Sequence, residues 1–492
     1  MLFNSIQFFI FFPIVVGLYF LLPHRYRWIL LLGASYYFYM SWKPEYVILI
    51  IVSTLIGYAA ARLMSATDDA KKRKAYLFAS LGANLCILFG FKYANFFSES
   101  VDAVLRQFNM PFSAPVFHIL LPVGISFYTF QILSYTVDVY RRNIQPMKHV
   151  GIFALYVSFF PQLVAGPIER AGRLLPQFFE KQIFSYGRAL DGLALMLWGL
   201  FKKVVIADNV AEIVAVVYNN PQQFNGVHFI LATVYFAIQI FCDFSAYSDM
   251  AVGTAKVMGF ELTKNFNRPY VATSIADFWR RWHISLSDWL QDYVYIPLGG
   301  SRKGAWRTYC NILVTFFISG LWHGAAWTYV AWGALHGAYL VVGRATKQWR
   351  ERATAAISVY HYPRIRQAFQ TATVFSLVSF SWIFFRAKTM QDALFIVRHL
   401  LTGVGEFVLN LSHLNYIKDV LGKLDVSPAR FMTIGFFLLF FIGISFYQKS
   451  GYLRDALAGK PVWLRWSLYY ALIFSILFFG NAGKQPFIYF QF

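Results

Sequence analysis

The chain reads as an all-α polytopic membrane protein, and three observations predict this. Of its 492 residues, 58% are hydrophobic and 14% charged, about half the charged share of a soluble domain. Aromatic residues reach 20%, with 53 Phe, 31 Tyr and 14 Trp, and no water-exposed surface forms from that mixture without large apolar patches. Apolar runs recur along the whole length, with no long polar block between them and no repeat period. A soluble protein of two or three domains is thereby excluded, and one membrane-embedded domain over residues 1–492 is expected. Forty-four Lys and Arg against 23 Asp and Glu leave a net charge of +21. On a soluble domain this would point to nucleic acid; on a membrane protein it marks cytoplasmic loops, so no nucleic-acid partner is expected.

A helical span needs about 20 apolar residues. Runs of that kind fall at residues 5–22, 28–40, 46–63, 75–91, 119–137, 150–165, 190–205, 228–244, 311–320, 325–342, 368–385, 431–446 and 467–480. About 11 to 13 transmembrane or re-entrant helices are expected, several too short to cross alone. Pro161, Pro167, Gly320 and Gly324 interrupt short runs; such broken backbone survives at depth only where protein or a water-filled cavity satisfies it. The first run has no Lys or Arg before it and no small-residue cleavage site, so it is expected to be a retained span. Cys86, Cys242 and Cys310 lie in or beside apolar stretches at a spacing that fits neither a disulfide framework nor a zinc site, so they are expected to act as small hydrophobes and no metal site is predicted.

Basic residues set the sidedness. Arg25 and Arg27 occupy one short loop, and Lys71, Lys72, Arg73 and Lys74 the loop two spans later. Both are expected on the cytoplasmic side, with the N-terminus outside. Later basic loops hold Arg141, Arg142 and Lys148, then Arg302, Lys303 and Arg307, then a cluster from Arg344 to Arg366.

Residues 261–307 contain no spanning-length apolar run. A helix from Phe278 would put Phe278, Trp282, Leu286, Trp289 and Tyr293 on one face, with Arg281, Ser285, Asp288 and Asp292 on an adjacent polar stripe. The pattern predicts an interfacial amphipathic helix, ended by Pro297, Gly299 and Gly300.

Ionisable groups inside a membrane are costly and are functional candidates by default. His24, His149, His361 and His413 sit in or next to polar loops, and His118, His228 and His399 border apolar runs; these read as water-facing or capping residues. His323 stands in Ile318-Ser-Gly-Leu-Trp-His-Gly-Ala-Ala-Trp327, within a nearly uncharged stretch between basic residues Arg307 and Arg344. If both ends are cytoplasmic, the stretch must enter and return over residues 309–343, with its turn near Gly320 to Gly324 and the imidazole deep or near the far face. The flanking glycines admit a substrate or another backbone. His336 follows thirteen residues later, about 140° away on a straight helix. It shares a cavity with His323 only if the helix breaks at the glycines, and packing is its expected role. His283 lies beside the aromatic face of the amphipathic segment, where spacing alone reads it as an interfacial residue among tryptophans. The chain has no phosphate-binding glycine loop, no His-Glu-x-x-His pair and no Gly-x-Ser-x-Gly elbow. A deep histidine without a nucleophile motif points to a general base acting on a bound acceptor.

Arg281-Trp-His283-Ile-Ser-Leu-Ser followed forty residues later by Leu321-Trp-His-Gly324 resembles the membrane-bound O-acyltransferase family. Supporting matches are Leu121-Pro-Val-Gly-Ile-Ser-Phe-Tyr128, Pro161-Gln-Leu-Val-Ala-Gly-Pro-Ile-Glu-Arg170, Asp243-Phe-Ser-Ala-Tyr-Ser-Asp249 and Asn265-Phe-Asn-Arg-Pro-Tyr270. Tyr295-Ile-Pro-Leu-Gly-Gly-Ser-Arg302 and the ending Pro486-Phe-Ile-Tyr-Phe-Gln-Phe492 are similar to its alginate O-acetylase branch. The resemblance implies a ring of helices around a thin central region with a funnel from each face. It also implies that His323 is the catalytic histidine and His283 a second functional one. Trp279, Arg280, Arg281, Trp282, Ser285, Asp288, Trp322 and His336 are the expected substrate-binding residues. It implies transfer of an acetyl group from a cytoplasmic thioester, acetyl-CoA as donor substrate, with no permanently bound cofactor. The acceptor would be an extracytoplasmic polysaccharide such as alginate or peptidoglycan, reached through a periplasmic acetyltransferase partner, with the enzyme a multi-pass protein of the bacterial inner membrane among its lipids. Two alternatives are a D-alanyl transferase using a carrier-protein thioester, and a polytopic transporter or flippase. A third is a catalytically silent scaffold.

Overall fold

The structure is a computed structural model and describes residues 1–110, 120–355, 362–447, 459–481 and 487–488. Those residues are helical and contain no strand. His118, His361 and most of the ending at residues 486–492 lie outside them. Among the described residues six helices are long and apolar enough to cross a membrane, and the protein is a multi-pass membrane protein. Contacts divide the chain into two compact units, Met1–Met196 with Tyr247–Lys264, and Leu197–Ala246 with Asn265–Phe492.

The first unit opens with helices α1 (Ile6–Leu21), α2 (His24–Met40), α3 (Val47–Ser65), α4 (Ala70–Lys92) and α5 (Ala94–Gln107). Asp69 caps α4, accepting from the Lys71 N–H at 2.8 Å and placing a carboxylate at the helix's positive end. Helix α6 (Ile125–Tyr140) is buried almost all round. Two residues assigned to basic loops are buried instead. Arg27 donates to the Gln182 carbonyl at 2.6 Å. Arg73 donates to the carbonyls of Met64 and Tyr140, a cation closing the last turns of α3 and α6 where carbonyls lack intrahelical partners.

Helix α7 (Val150–Ser158) stops after nine residues, and the irregular chain through Glu169 is entirely buried. The break expected from Pro161 and Pro167 is therefore present, and protein groups satisfy it. Gln162 donates to the Tyr156 carbonyl at 2.8 Å, Tyr156 to the Glu169 carbonyl at 2.8 Å, and the Phe160 N–H to Ser35 Oγ at 3.0 Å. A short helix α8 (Ala171–Leu174) follows.

Helix α9 (Tyr186–Phe201) runs through a π-turn at Lys202–Ala207 into α10 (Asp208–Asn219). The wider turn brings both lysines inside. Lys203 Nζ lies 2.6 Å from Asp243 Oδ1 and 2.8 Å from Asp208 Oδ1, and Lys202 donates to Ser245 at 2.8 Å. Asp243 belongs to α11 (Gly226–Met258), 33 residues long. Further along the second unit come α12 (Ile275–Trp279), α13 (Ile284–Leu290), α14 (Gly304–His323), α15 (Trp327–Ala345), α16 (Lys347–Ala355) and α17 (Pro363–Arg386). Then follow α18 (Met390–His399), α19 (Val404–Leu409), α20 (Leu414–Gly422), α21 (Pro428–Tyr447) and α22 (Val462–Phe479). Of the cysteines, Cys242 is buried as expected, whereas Cys86 is exposed.

Candidate active site

The amphipathic segment differs from its expected form. No single helix runs from Phe278; α12 ends at Trp279, the chain turns, and α13 starts at Ile284. The hinge is His283, left-handed at φ 43° and ψ 55°, a conformation uncommon for a residue with a Cβ. Asn265 supports it. Its carbonyl accepts from the Ile284 N–H at 3.0 Å, and its Oδ1 accepts from the Ser285 N–H at 3.2 Å and Ser285 Oγ at 2.7 Å. The Asn267 N–H donates to the Arg281 carbonyl at 2.9 Å, so the 265–267 stretch pins the turn from both sides.

The aromatic face is not interfacial. Phe278, Trp282, Leu286 and Trp289 are buried in protein, because helices of the same unit cover them before lipid does; Trp282 lies 5.2 Å from the Trp382 ring. The stripe is also rearranged. Arg281 pairs with Asp277 at 3.0 Å, one turn earlier, while Arg280 and Asp288 are exposed and Ser285 is buried on Asn265.

Helices α14 and α15 form the antiparallel pair expected between Arg307 and Arg344, turning at residues 324–326. Their backbones touch where glycines face each other. The Gly320 and Gly333 Cα positions are so close that a Cβ on Gly333 would strike the Phe316 carbonyl and one on Gly320 the Tyr329 carbonyl. A Cβ on Gly324 would strike the Tyr329 ring. Of the glycines flanking His323, Gly320 admits the backbone of α15 and Gly324 the Tyr329 ring. His323 is the last residue of α14 and 4% exposed, about 30 Å along the helix from Gly304.

The break before α15 lets the three histidines meet one aromatic shell. The Trp322 ring lies 5.7 Å from His283 and 5.0 Å from His323. The Trp332 ring lies 4.9 Å from His323 and 4.9 Å from His336. Phe244 stacks edge-on to His283 at 4.7 Å, and Phe385 to His323 at 5.3 Å. Burial pushes the His283 imidazole down to about 3, so it is neutral at physiological pH. His336 is fully committed to structure. Trp279 Nε1 donates to its Nδ1 at 3.3 Å, which leaves Nε2–H to donate to Ser381 Oγ at 2.8 Å, and Ser381 passes its own proton to the Val378 carbonyl at 2.7 Å.

Trp279, Trp282, Trp322, His283, His323 and His336 therefore converge, Ser285 braces the turn, and Arg280, Arg281 and Asp288 lie outside the buried shell. Asn265 and Phe244 were present in motifs that the sequence displayed without a role. Trp332 sits one helical turn before His336, whereas Ser381 and Phe385 carried no local signal and tertiary packing alone brings them in.

Buried histidines at a helix end and a helix hinge, within an all-helical multi-pass membrane chain, point to the class of protein. Residues 145–385 match the membrane-bound O-acyltransferase family, and the chain belongs to that family and is an O-acyltransferase. It is 38% identical over 464 residues to the probable alginate O-acetylase AlgI of Azotobacter vinelandii, covering 94% of this chain and 87% of that protein. It is 37% identical over the full length of both chains to the probable alginate O-acetylase AlgI of Pseudomonas putida. To the peptidoglycan O-acetyltransferase of Helicobacter pylori it is 33% identical, covering 94% of this chain and 91% of that one.

Proposed function

We propose that the protein transfers an acetyl group from a cytoplasmic thioester, acetyl-CoA, toward O-acetylation of an extracytoplasmic polysaccharide such as alginate or peptidoglycan, from the bacterial inner membrane. The observation that carries this reading is the convergence of His283 and His323 on the Trp322 ring, together with relatives named for alginate and peptidoglycan O-acetylation. In the reaction His323 takes the proton of the acceptor hydroxyl as its oxygen attacks the thioester carbonyl. The C–O bond forms, the C–S bond breaks, and the proton goes to the departing thiolate. A thioester is activated enough that positioning and one base suffice. Neutral His283 orients the donor or hydrogen-bonds the developing oxyanion. Exposed Arg280, with Arg281 beside it, suits the donor's phosphates, and a periplasmic acetyltransferase partner carries the acyl group onward. A ring of helices around a thin centre, entered from both faces, is the architecture this reading requires.

Purified protein incubated with radiolabelled acetyl-CoA tests it. Thioester turnover that is lost in His323→Ala, with wild-type elution of the variant, is the expected result; turnover unchanged in that variant overturns the assignment. A D-alanyl-loaded carrier protein turned over in place of acetyl-CoA would establish the D-alanyl branch instead.

A further inference from the structure

The second unit contains a cavity of about 340 Å³ between the π-turn, α21 and the end of α22, and none of its lining residues belongs to the histidine cluster. Its wall has two chemistries. One end is a hydrogen-bonded knot. Arg430 Nη2 donates to Glu212 Oε2 at 2.6 Å and to Asn209 Oδ1 at 3.3 Å. Asn481 Nδ2 donates to Glu212 Oε1 at 2.7 Å, and Asn209 Nδ2 to the Phe479 carbonyl at 3.0 Å. The other end is apolar, formed by Phe437, Phe478 and Phe479.

Three features identify the occupant. Both Arg430 contacts use Nη2, so Nη1 and Nε, on a side chain 40% exposed, remain for another acceptor, and a guanidinium fork matches phosphate oxygens. Arg430 stands in the first turn of α21 and Asn481 just past the end of α22, the depth at which chains leave a bilayer and headgroups sit. Phe437 lies two turns deeper, about 10 Å along α21. Finally, α21 and α22 are candidate spans with only 17% and 6% of their apolar windows buried, so their flanks open to lipid. A phosphate at one end, an apolar chain at the other and entry from the bilayer describe one class of molecule. We propose that this cavity is a binding site for a single glycerophospholipid, its phosphodiester on Arg430 and Asn481 and its acyl chain along Phe437 and Phe478.

The test is native mass spectrometry of the full-length protein, delipidated in detergent and then titrated with phosphatidylglycerol. One adduct per chain is expected, weakened about tenfold or more in Arg430→Gln and retained in Arg430→Lys. Because Arg430 also holds Glu212, a second variant leaves the knot intact. Thr433 lines the cavity and spends its hydroxyl on its own helix at 2.9 Å, so Thr433→Phe fills the space; it is expected to block the adduct with unchanged elution and unchanged acyl transfer. Adducts equal to wild type in both Arg430→Gln and Thr433→Phe overturn the site. Diacylglycerol binding as well as the phospholipid overturns the phosphate role, and inorganic phosphate competing at equal concentration overturns the role of the chain.

Discussion

At the residue scale the three histidines of the aromatic shell separate by what surrounds them. His336 has both ring nitrogens engaged by Trp279 and Ser381, so packing is its expected role. Its removal leaves the Trp279 N–H buried without an acceptor, at a cost of about 1–3 kcal/mol; His336→Phe is expected to lower the unfolding temperature while keeping measurable acyl transfer. His323 is the residue proposed above as the base. His323→Ala is expected to lower transfer by about 10²–10⁴-fold, the usual worth of a positioned base, with the fold retained, as followed by thioester release and elution profile. His283 adds a pH signature. Its folded-state pKa of about 3 lies below the ordinary value near 6.5. Its contribution to stability is therefore complete above about pH 6.5 and is lost as pH falls toward 3. Between pH 5 and 8 it does not titrate in the folded enzyme. His283→Gln is thus expected to lower the rate while leaving the midpoint of the acid limb of the pH–rate profile in place; a shifted midpoint would show that His283 ionises during turnover.

At the element scale, the site depends on where helices stop. The 3.6-residue pattern from Phe278 was legible and placed Phe278, Trp282, Leu286 and Trp289 inside, but it missed the burial of His283 and Ser285 and the break in the helix. Asn265 satisfies the Ile284 and Ser285 N–H groups, which replaces the intrahelical bonds a continuous helix would have made and lets His283 turn left-handed. The pair α14 and α15 was legible from two basic ends around a glycine-containing apolar stretch, including the position of its turn. What the glycines were for depended on contact, since their spacing suits a substrate and a helix backbone equally. Gly333→Ala places a methyl against the Phe316 carbonyl, an overpacking worth about 1–3 kcal/mol. It is expected to lower thermal stability and to reduce transfer although Gly333 touches no reacting group. The π-turn at Lys202–Ala207 had no sequence signal, because two lysines at the end of an apolar run look like an interfacial anchor. Asp208 and Asp243 make them interior instead.

At the scale of the whole molecule, sidedness is the strongest expectation that composition supplies. With α14 and α15 antiparallel, the ends at Arg302 and Arg344 lie at one face, which the positive-inside rule expects to be cytoplasmic. Cysteines placed at these two positions, in a chain with Cys86 replaced, are expected to react with an impermeant maleimide in inverted membrane vesicles and not in intact spheroplasts. Labelling of the two from opposite sides would contradict the pair. By itself the sequence determined that the chain enters a bilayer and roughly where its helices lie, because hydropathy and helical period are local properties carried by neighbouring residues. Only the tertiary structure decided that Arg27 is buried against the Gln182 carbonyl, that Arg73 closes two helix ends inside the protein, and that His283 sits on a hinge. It alone brought Ser381 and Phe385 of α17 to the histidines of α14 and α15. Those contacts join residues tens of positions apart, and no local pattern encodes which distant helix will cover a given face.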